Sequence, residues 1–301
     1  MKTALHIELQ ILFLALILPY SSLIEIYFDI KIFLYKFVLD LRFVEMGYTV
    51  CFANNKGGVG KTTTSVAIGQ AWARMGRKVL FVDLDSQANL TSMVSPLSPE
   101  EHKLSIRDAF IDKNNFSIEH VAENIDLVPS ELSLSNFDRD TAAFTGREYL
   151  LVDLLKPVKK NYDFIILDCP PALGLITYNA LIASDHLVMV ATPDGLAYSG
   201  MVMVANLYAD VRSSARLNQN LQLSGVILTK YERNKLSEMY VQKVKDELGA
   251  AFIEPVISKA TKITQAGSFN QSIYEYDPDG KATKQYIEVA QKLALRILDE
   301  E

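Results

Sequence analysis

Ten consecutive residues, Asn54-Asn55-Lys56-Gly57-Gly58-Val59-Gly60-Lys61-Thr62-Thr63, combine three glycines, two lysines and two adjacent hydroxyls. Glycines at 57, 58 and 60, with Val59 between them, let the backbone curl until successive N–H groups face one anion. A helix starting at this point adds the positive end of its dipole. Lys61 is placed to reach the β- and γ-phosphates of a nucleotide, and Thr62 to offer its hydroxyl to Mg²⁺. The ordinary pattern for such a loop, G-x-x-x-x-G-K-[ST], asks for glycine at position 55. This chain has Asn55 there and an additional lysine, Lys56, so it fits a deviant version of the pattern.

Two acidic motifs follow. In Val79-Leu80-Phe81-Val82-Asp83-Leu84-Asp85 the carboxylates stand two positions apart at the end of an apolar run. Residues i and i+2 of a strand share a face, so one carboxylate can serve the metal shell while the next orients an attacking water. In Phe164-Ile165-Ile166-Leu167-Asp168 four apolar residues end in an aspartate, the pattern in which a carboxylate holds Mg²⁺. Cys169, next in line, reads as a small buried thiol.

The elements that must carry these residues alternate. Tyr48–Ala53 is predicted as a strand, Thr62–Met75 as a helix with Gly76 at its end, and Lys78–Val82 as a second strand. Further strands are expected at Ile125–Val128, Phe164–Leu167, Leu187–Ala191, Leu221–Leu228 and Phe252–Val256. Helices are expected at Ile106–Ile111, Glu148–Leu155, Leu175–Ala183, Gly200–Ala215, Lys235–Leu248 and Lys281–Leu298. Strands alternating with helices predict an α/β fold, a doubly wound, mostly parallel sheet with helices on both faces. All three motifs fall at the carboxyl ends of strands, where such sheets bind ligands.

Composition bounds the function. The chain has 301 residues, 49% hydrophobic and 22% charged, which excludes a disordered protein. A net charge of −6 gives no global field toward nucleic acid, so DNA binding would need a local basic patch. Two cysteines, Cys51 and Cys169, 118 positions apart, form neither a disulfide framework nor a zinc motif. Residues 1–45 differ from the rest: they contain no glycine, and 27 of the 45 are Ile, Leu, Phe, Val or Tyr. Their longest apolar run, Ile11–Leu18, is eight residues, short of the roughly 18 a membrane span needs. We read 1–45 as a hydrophobic extension upstream of the natural start at Met46. A peripheral hydrophobic extension and a membrane anchor are the second and third readings. Residues 46–301 read as one domain.

The three motifs, in this order and spacing, resemble the ParA/MinD family of deviant-Walker ATPases, and the ParA branch that partitions plasmids and chromosomes in particular. Ala191-Thr192-Pro193, Gly225-Val226-Ile227-Leu228-Thr229-Lys230-Tyr231 and Tyr276-Asp277-Pro278 are similar to later segments of the family. The resemblance implies that Lys61, Thr62 and Thr63, with Gly57, Gly58, Val59 and Gly60, bind the phosphates of ATP and Mg²⁺. It implies that Lys56 reaches the nucleotide of a partner subunit, that Asp85 positions the hydrolytic water, and that Asp83 and Asp168 serve the metal shell. It further implies a homodimer formed on ATP that binds DNA without sequence preference. A centromere-binding, ParB-type partner would stimulate slow hydrolysis and release the dimer, in a cytoplasmic, nucleoid-associated cycle. Arg233, Lys259 and Lys262 match the family's DNA-binding positions. Ser258-Lys259-Ala260-Thr261-Lys262 replaces the family's usual Pro-Arg-Asn-x-Arg.

The alternative is a MinD-like membrane-cycling ATPase, which would need a basic amphipathic C-terminal helix. The acidic Leu298-Asp299-Glu300-Glu301 argues against it, and stable membrane insertion is not expected. A related tyrosine kinase would need a tyrosine cluster beyond Tyr286, and iron–sulfur relatives would need differently placed cysteines.

Overall fold

The computed structural model describes residues 47–269 and 271–299. The reading of residues 1–45 as an upstream extension lies outside them. The strands are β1 (Tyr48–Ala53), β2 (Val79–Asp83), β3 (Glu119–Ala122), β4 (Ile125–Val128), β5 (Phe164–Asp168), β6 (His186–Ala191) and β7 (Gln222–Leu228). The α-helices are α1 (Lys61–Arg74), α2 (Asn89–Val94), α3 (Ile106–Ile111), α4 (Phe137–Asp140), α5 (Leu150–Leu155), α6 (Leu175–Ala183), α7 (Gly195–Ser213), α8 (Lys235–Leu248), α9 (Thr261–Ser268), α10 (Ile273–Tyr276) and α11 (Lys281–Asp299).

The strands form one sheet in the order β3-β4-β2-β5-β1-β6-β7. Every pairing is parallel except β3 with β4. The sequence explains why: β2, β5 and β6 are buried along their whole length, the mark of strands covered on both faces. Leu80, Val82, Ile165, Leu167 and Cys51 face one layer, with α3, α5, α6, α7 and α8. Val79, Phe81, Phe164, Ile166 and Phe52 face the other, with α1 and α11. Trp72 of α1 stacks on Phe164 with ring centroids 4.0 Å apart, and its Nε1 donates to Ala290 O in α11 at 2.9 Å. The apolar stripe of α11 (Val289, Ala290, Leu293, Ile297) is therefore buried in this layer rather than offered to a membrane. No helix among the described residues is long and apolar enough to cross one.

Two expectations need correction. Phe252–Val256 is not a strand: it touches β7 through single bonds, Ile253 N to Val226 O at 3.0 Å and Ile257 N to Leu228 O at 2.8 Å. Pro255 between them has no N–H, so no ladder can run through. Helix α7 starts five residues earlier than Gly200, because Asp194 caps it by accepting from Ala197 N at 3.0 Å.

Candidate functional site

Strand order brings the three motifs together. β2, β5 and β1 are consecutive in the sheet, and the register pairs Asp83 with Asp168 and Asp168 with Phe52. The loop after β1 thus opens beside both acidic strand ends. Gly58 (φ 77°) and Gly60 (φ 89°) take left-handed conformations that residues with a Cβ reach only with strain. Gly57 and Gly58 are exposed, and a Cβ on either would meet no atom within 4 Å, so the loop's outer face stays open to an approaching group. Asn54 anchors the start of the loop: Nδ2 donates to Val190 O at 2.7 Å and Ala197 O at 3.3 Å, while Oδ1 accepts from Lys56 N at 2.9 Å. Helix α7 comes this close because residue 200 is glycine; a Cβ there would lie 2.3 Å from Asn54 Oδ1.

The acidic side is a hydrogen-bonded stack. Thr62 Oγ1 donates to Asp168 Oδ2 at 2.6 Å and Ser65 Oγ to Asp168 Oδ1 at 3.1 Å. Behind it, Asp83 accepts from Thr91 N (2.9 Å), Thr91 Oγ1 (2.8 Å) and Asp85 N (3.1 Å). Burial, followed by the Asp83 charge, pushes the Asp168 carboxyl up to about 7. Burial also lifts Asp83 to about 6, against the pull of its Thr91 and Asp85 bonds. Lys61 is buried as well, and desolvation lowers its ammonium below the ordinary lysine range although Asp168 and Asp85 oppose this. Two desolvated acids and a desolvated lysine thus lie together at the start of α1 and the ends of β2 and β5.

Asp85 lies just past the end of β2. Its Oδ1 accepts from Gln87 N at 3.1 Å and its backbone carbonyl accepts from Ser130 Oγ at 2.7 Å. Thr63 stands in the first turn of α1. Cys169 is buried and hydrogen-bonded to Cys51, which together with burial pushes its thiol up. Among the described residues no three His, Cys, Asp or Glu side chains converge as a metal cage. The oxygen donors at the loop are the Thr62 hydroxyl and the Asp168 carboxylate with Asp83 behind it, a hard set suited to Mg²⁺ with phosphate and water completing the shell.

Sequence reasoning singled out Lys56 but missed its partner within the chain, Asp194. Lys56 Nζ lies 3.0 and 3.1 Å from the two carboxylate oxygens of Asp194. Burial alone would raise Asp194, but the Thr192 hydroxyl, the Ala197 amide and the Lys56 ammonium hold it below the usual carboxylate range. Aspartate before a helical run was the available signal. Thr91, Ser65 and Thr229 were also missed as site residues, and no local pattern marks them. Close to Lys56, Asn55 Nδ2 meets Met203 Sδ at 2.7 Å, and Leu196 and Met203 of α7 are exposed.

The basic candidates lie apart from the acidic stack. Lys259 pairs with Glu232 and Lys262 with Asp277 (2.7 Å), both at the surface. Arg233 is exposed in the turn before α8.

The AAA domain family matches residues 47–223 of this chain. Sporulation initiation inhibitor protein Soj of Bacillus subtilis (strain 168) is 34% identical over 254 residues, covering 83% of this chain and 99% of that protein. Chromosome partitioning protein ParA of Caulobacter vibrioides (strain NA1000 / CB15N) is 29% identical over 256 residues, covering 83% and 95%. Among solved structures, cobyrinic acid a,c-diamide synthase from Mycobacterium smegmatis with bound ADP and magnesium superposes with a TM-score of 0.72 at 27% identity, covering 85% of this chain and 97% of that one.

Proposed function

Because the chain belongs to the ParA/Soj family of AAA-domain proteins, we propose that it is an ATP-dependent DNA-partitioning ATPase. The observation that carries this reading is the junction of the glycine loop, Lys61 and the Thr62–Asp168 pair, with Lys56 at the rim. Lys61 and the amides of Gly57 to Gly60 hold the triphosphate, and Thr62 with Asp168 and Asp83 holds Mg²⁺. When bound, the metal neutralises charge on the phosphate oxygens. Asp85 accepts a hydrogen bond from the attacking water through Oδ2 and so aligns it. With one carboxylate to align the water and no partner bound, turnover of the isolated protein is slow.

Lys56 leaves Asp194 for the nucleotide of a second copy, which couples ATP occupancy to pairing. The exposed Leu196 and Met203 beside it support burial of this rim in a homodimer. Pairing joins two weak basic faces, each with Arg233, Lys259 and Lys262, into one bivalent surface for DNA of any sequence. A ParB-type protein then stimulates hydrolysis and release, in a cytoplasmic cycle on the nucleoid. The test is co-sedimentation with non-specific duplex DNA in ATP or ADP at two salt concentrations. Retention with ATP, loss with ADP and a steep salt dependence support the reading. Equal, negligible retention in both states refutes its DNA half.

A further inference from the structure

We propose that Lys230 is a positioning residue that sets the direction of the phosphate loop's amides. The inference rests on the reading of that loop as a triphosphate site. β7 ends at Leu228, and the next two residues grip two successive loop carbonyls from across the fold. Thr229 Oγ1 donates to Val59 O and Lys230 Nζ to Gly58 O, each at 2.6 Å. A trans peptide points its C=O and the following N–H in opposite directions. Holding the Gly58 carbonyl outward therefore turns Val59 N–H inward, and holding the Val59 carbonyl outward does the same for Gly60 N–H. The amides a phosphate needs are aimed before it arrives, as preorganised donors must be.

The backbone of Lys230 carries the second observation. Its φ is 53°, in the left-handed region that glycine or asparagine enters more readily than lysine. The residue as a whole is exposed. Lysine in a conformation that disfavours it, reaching back to the loop, fits strain held for a function. Thr229 is buried and further fixed by its own N–H, which donates to Ala191 O at 2.8 Å, so the grip is tied to β6 as well.

Stability and binding should separate at this position. With the full-length chain, isothermal titration in Mg²⁺ would compare ATP and inorganic tripolyphosphate on wild type, Lys61→Ala, Lys230→Gly and Lys230→Arg, alongside apo melting temperatures. Lys230→Gly relieves the backbone, so its melting temperature should stay within about 3 °C of wild type. Its affinity for both ligands should fall by a common factor of about ten, as expected for losing one charge-assisted hydrogen bond. Lys230→Arg should recover most of that loss. Wild-type affinity in Lys230→Gly, or a loss confined to ATP with tripolyphosphate binding intact, would overturn the proposal. So would a large drop in melting temperature accompanying the weaker binding, since that is a structural role. Failure of the underlying site is separable: wild type would then bind neither ligand, or Lys61→Ala would bind like wild type, and the inference would fall with it.

Discussion

Removing the Asp194 charge should make ATP-driven pairing easier. Within one chain both Asp194 oxygens hold Lys56, with the two side chains 32% and 36% exposed. An ion pair of that exposure is worth about 0.5–1 kcal/mol. Two such pairs break when two subunits exchange lysines, so the cis contacts oppose the dimer by about 1–2 kcal/mol in total. Asp194→Asn removes the charge but keeps an amide oxygen able to cap α7, because asparagine is as good an N-cap as aspartate. The expected result is a dimer dissociation constant about five- to thirtyfold lower in a non-hydrolysable ATP analogue. Sedimentation velocity across a protein concentration series reads it directly. The gain should shrink as salt is raised, since a partly exposed pair is screened. It should vanish in the Lys56→Ala background, which a double-mutant cycle tests. Unchanged or weaker pairing in Asp194→Asn, at wild-type thermal stability, would mean that Asp194 does not restrain Lys56 and would refute the argument.

Other perturbations separate the roles of neighbouring residues. Asp85→Ala should retain ATP binding yet lose most hydrolysis in a phosphate-release assay; wild-type turnover would reassign the water-aligning group. Gly200→Ala places a Cβ 2.3 Å from Asn54 Oδ1, so α7 or the loop must shift. A loss of about 1–3 kcal/mol in urea unfolding is expected, with weaker ATP binding; equal stability would show that the approach has slack. Burial, against the Asp185 charge and with that of Lys159, lowers His186 to about 4 from 6.5. The unfolded chain then takes up the proton first, so stability falls as pH drops from about 6.5 to about 4. The loss traceable to this group is about 3 kcal/mol. His186→Gln should remove that part of the acid slope, and a wild-type-minus-variant difference flat across this range would contradict it.

The strands and the phosphate loop were readable because each rests on local pattern. β1 and β4 match their expected bounds, and α3, α6 and α8 match theirs, since apolar runs and caps sit within the segments themselves. The edge strand β3 escaped notice: half-buried Glu119 and Val121 alternate with exposed His120 and Ala122, none of them in the core, and antiparallel pairing with β4 is what makes them a strand. Phe252–Val256 looked like a strand by composition, and Pro255 together with isolated contacts to β7 denied it a ladder. At the site, Lys56, Lys61, Thr62, Asp83, Asp85 and Asp168 announced themselves by spacing. Asp194, Thr91 and Lys230 did not, because their partners lie 138, 8 and 172 positions away and only folding supplies the pairing.

An interior strand of this sheet, β1, is the first of the described strands to be made. β1 lies between β5 and β6, whose residues pair with it from Phe164 and His186 onward. A ribosome adding about 5–20 residues per second needs roughly 9–35 s to pass from Ala53 to Leu228. Throughout most of that interval the nascent chain carries a hydrophobic strand with both edges open, a natural client for a holding chaperone. The glycine loop is equally premature, since Thr229 and Lys230, which hold its carbonyls, are synthesised last among its supports. A chain cut short before β7 would therefore present the motif without its brace, and would compete poorly with finished protein for nucleotide.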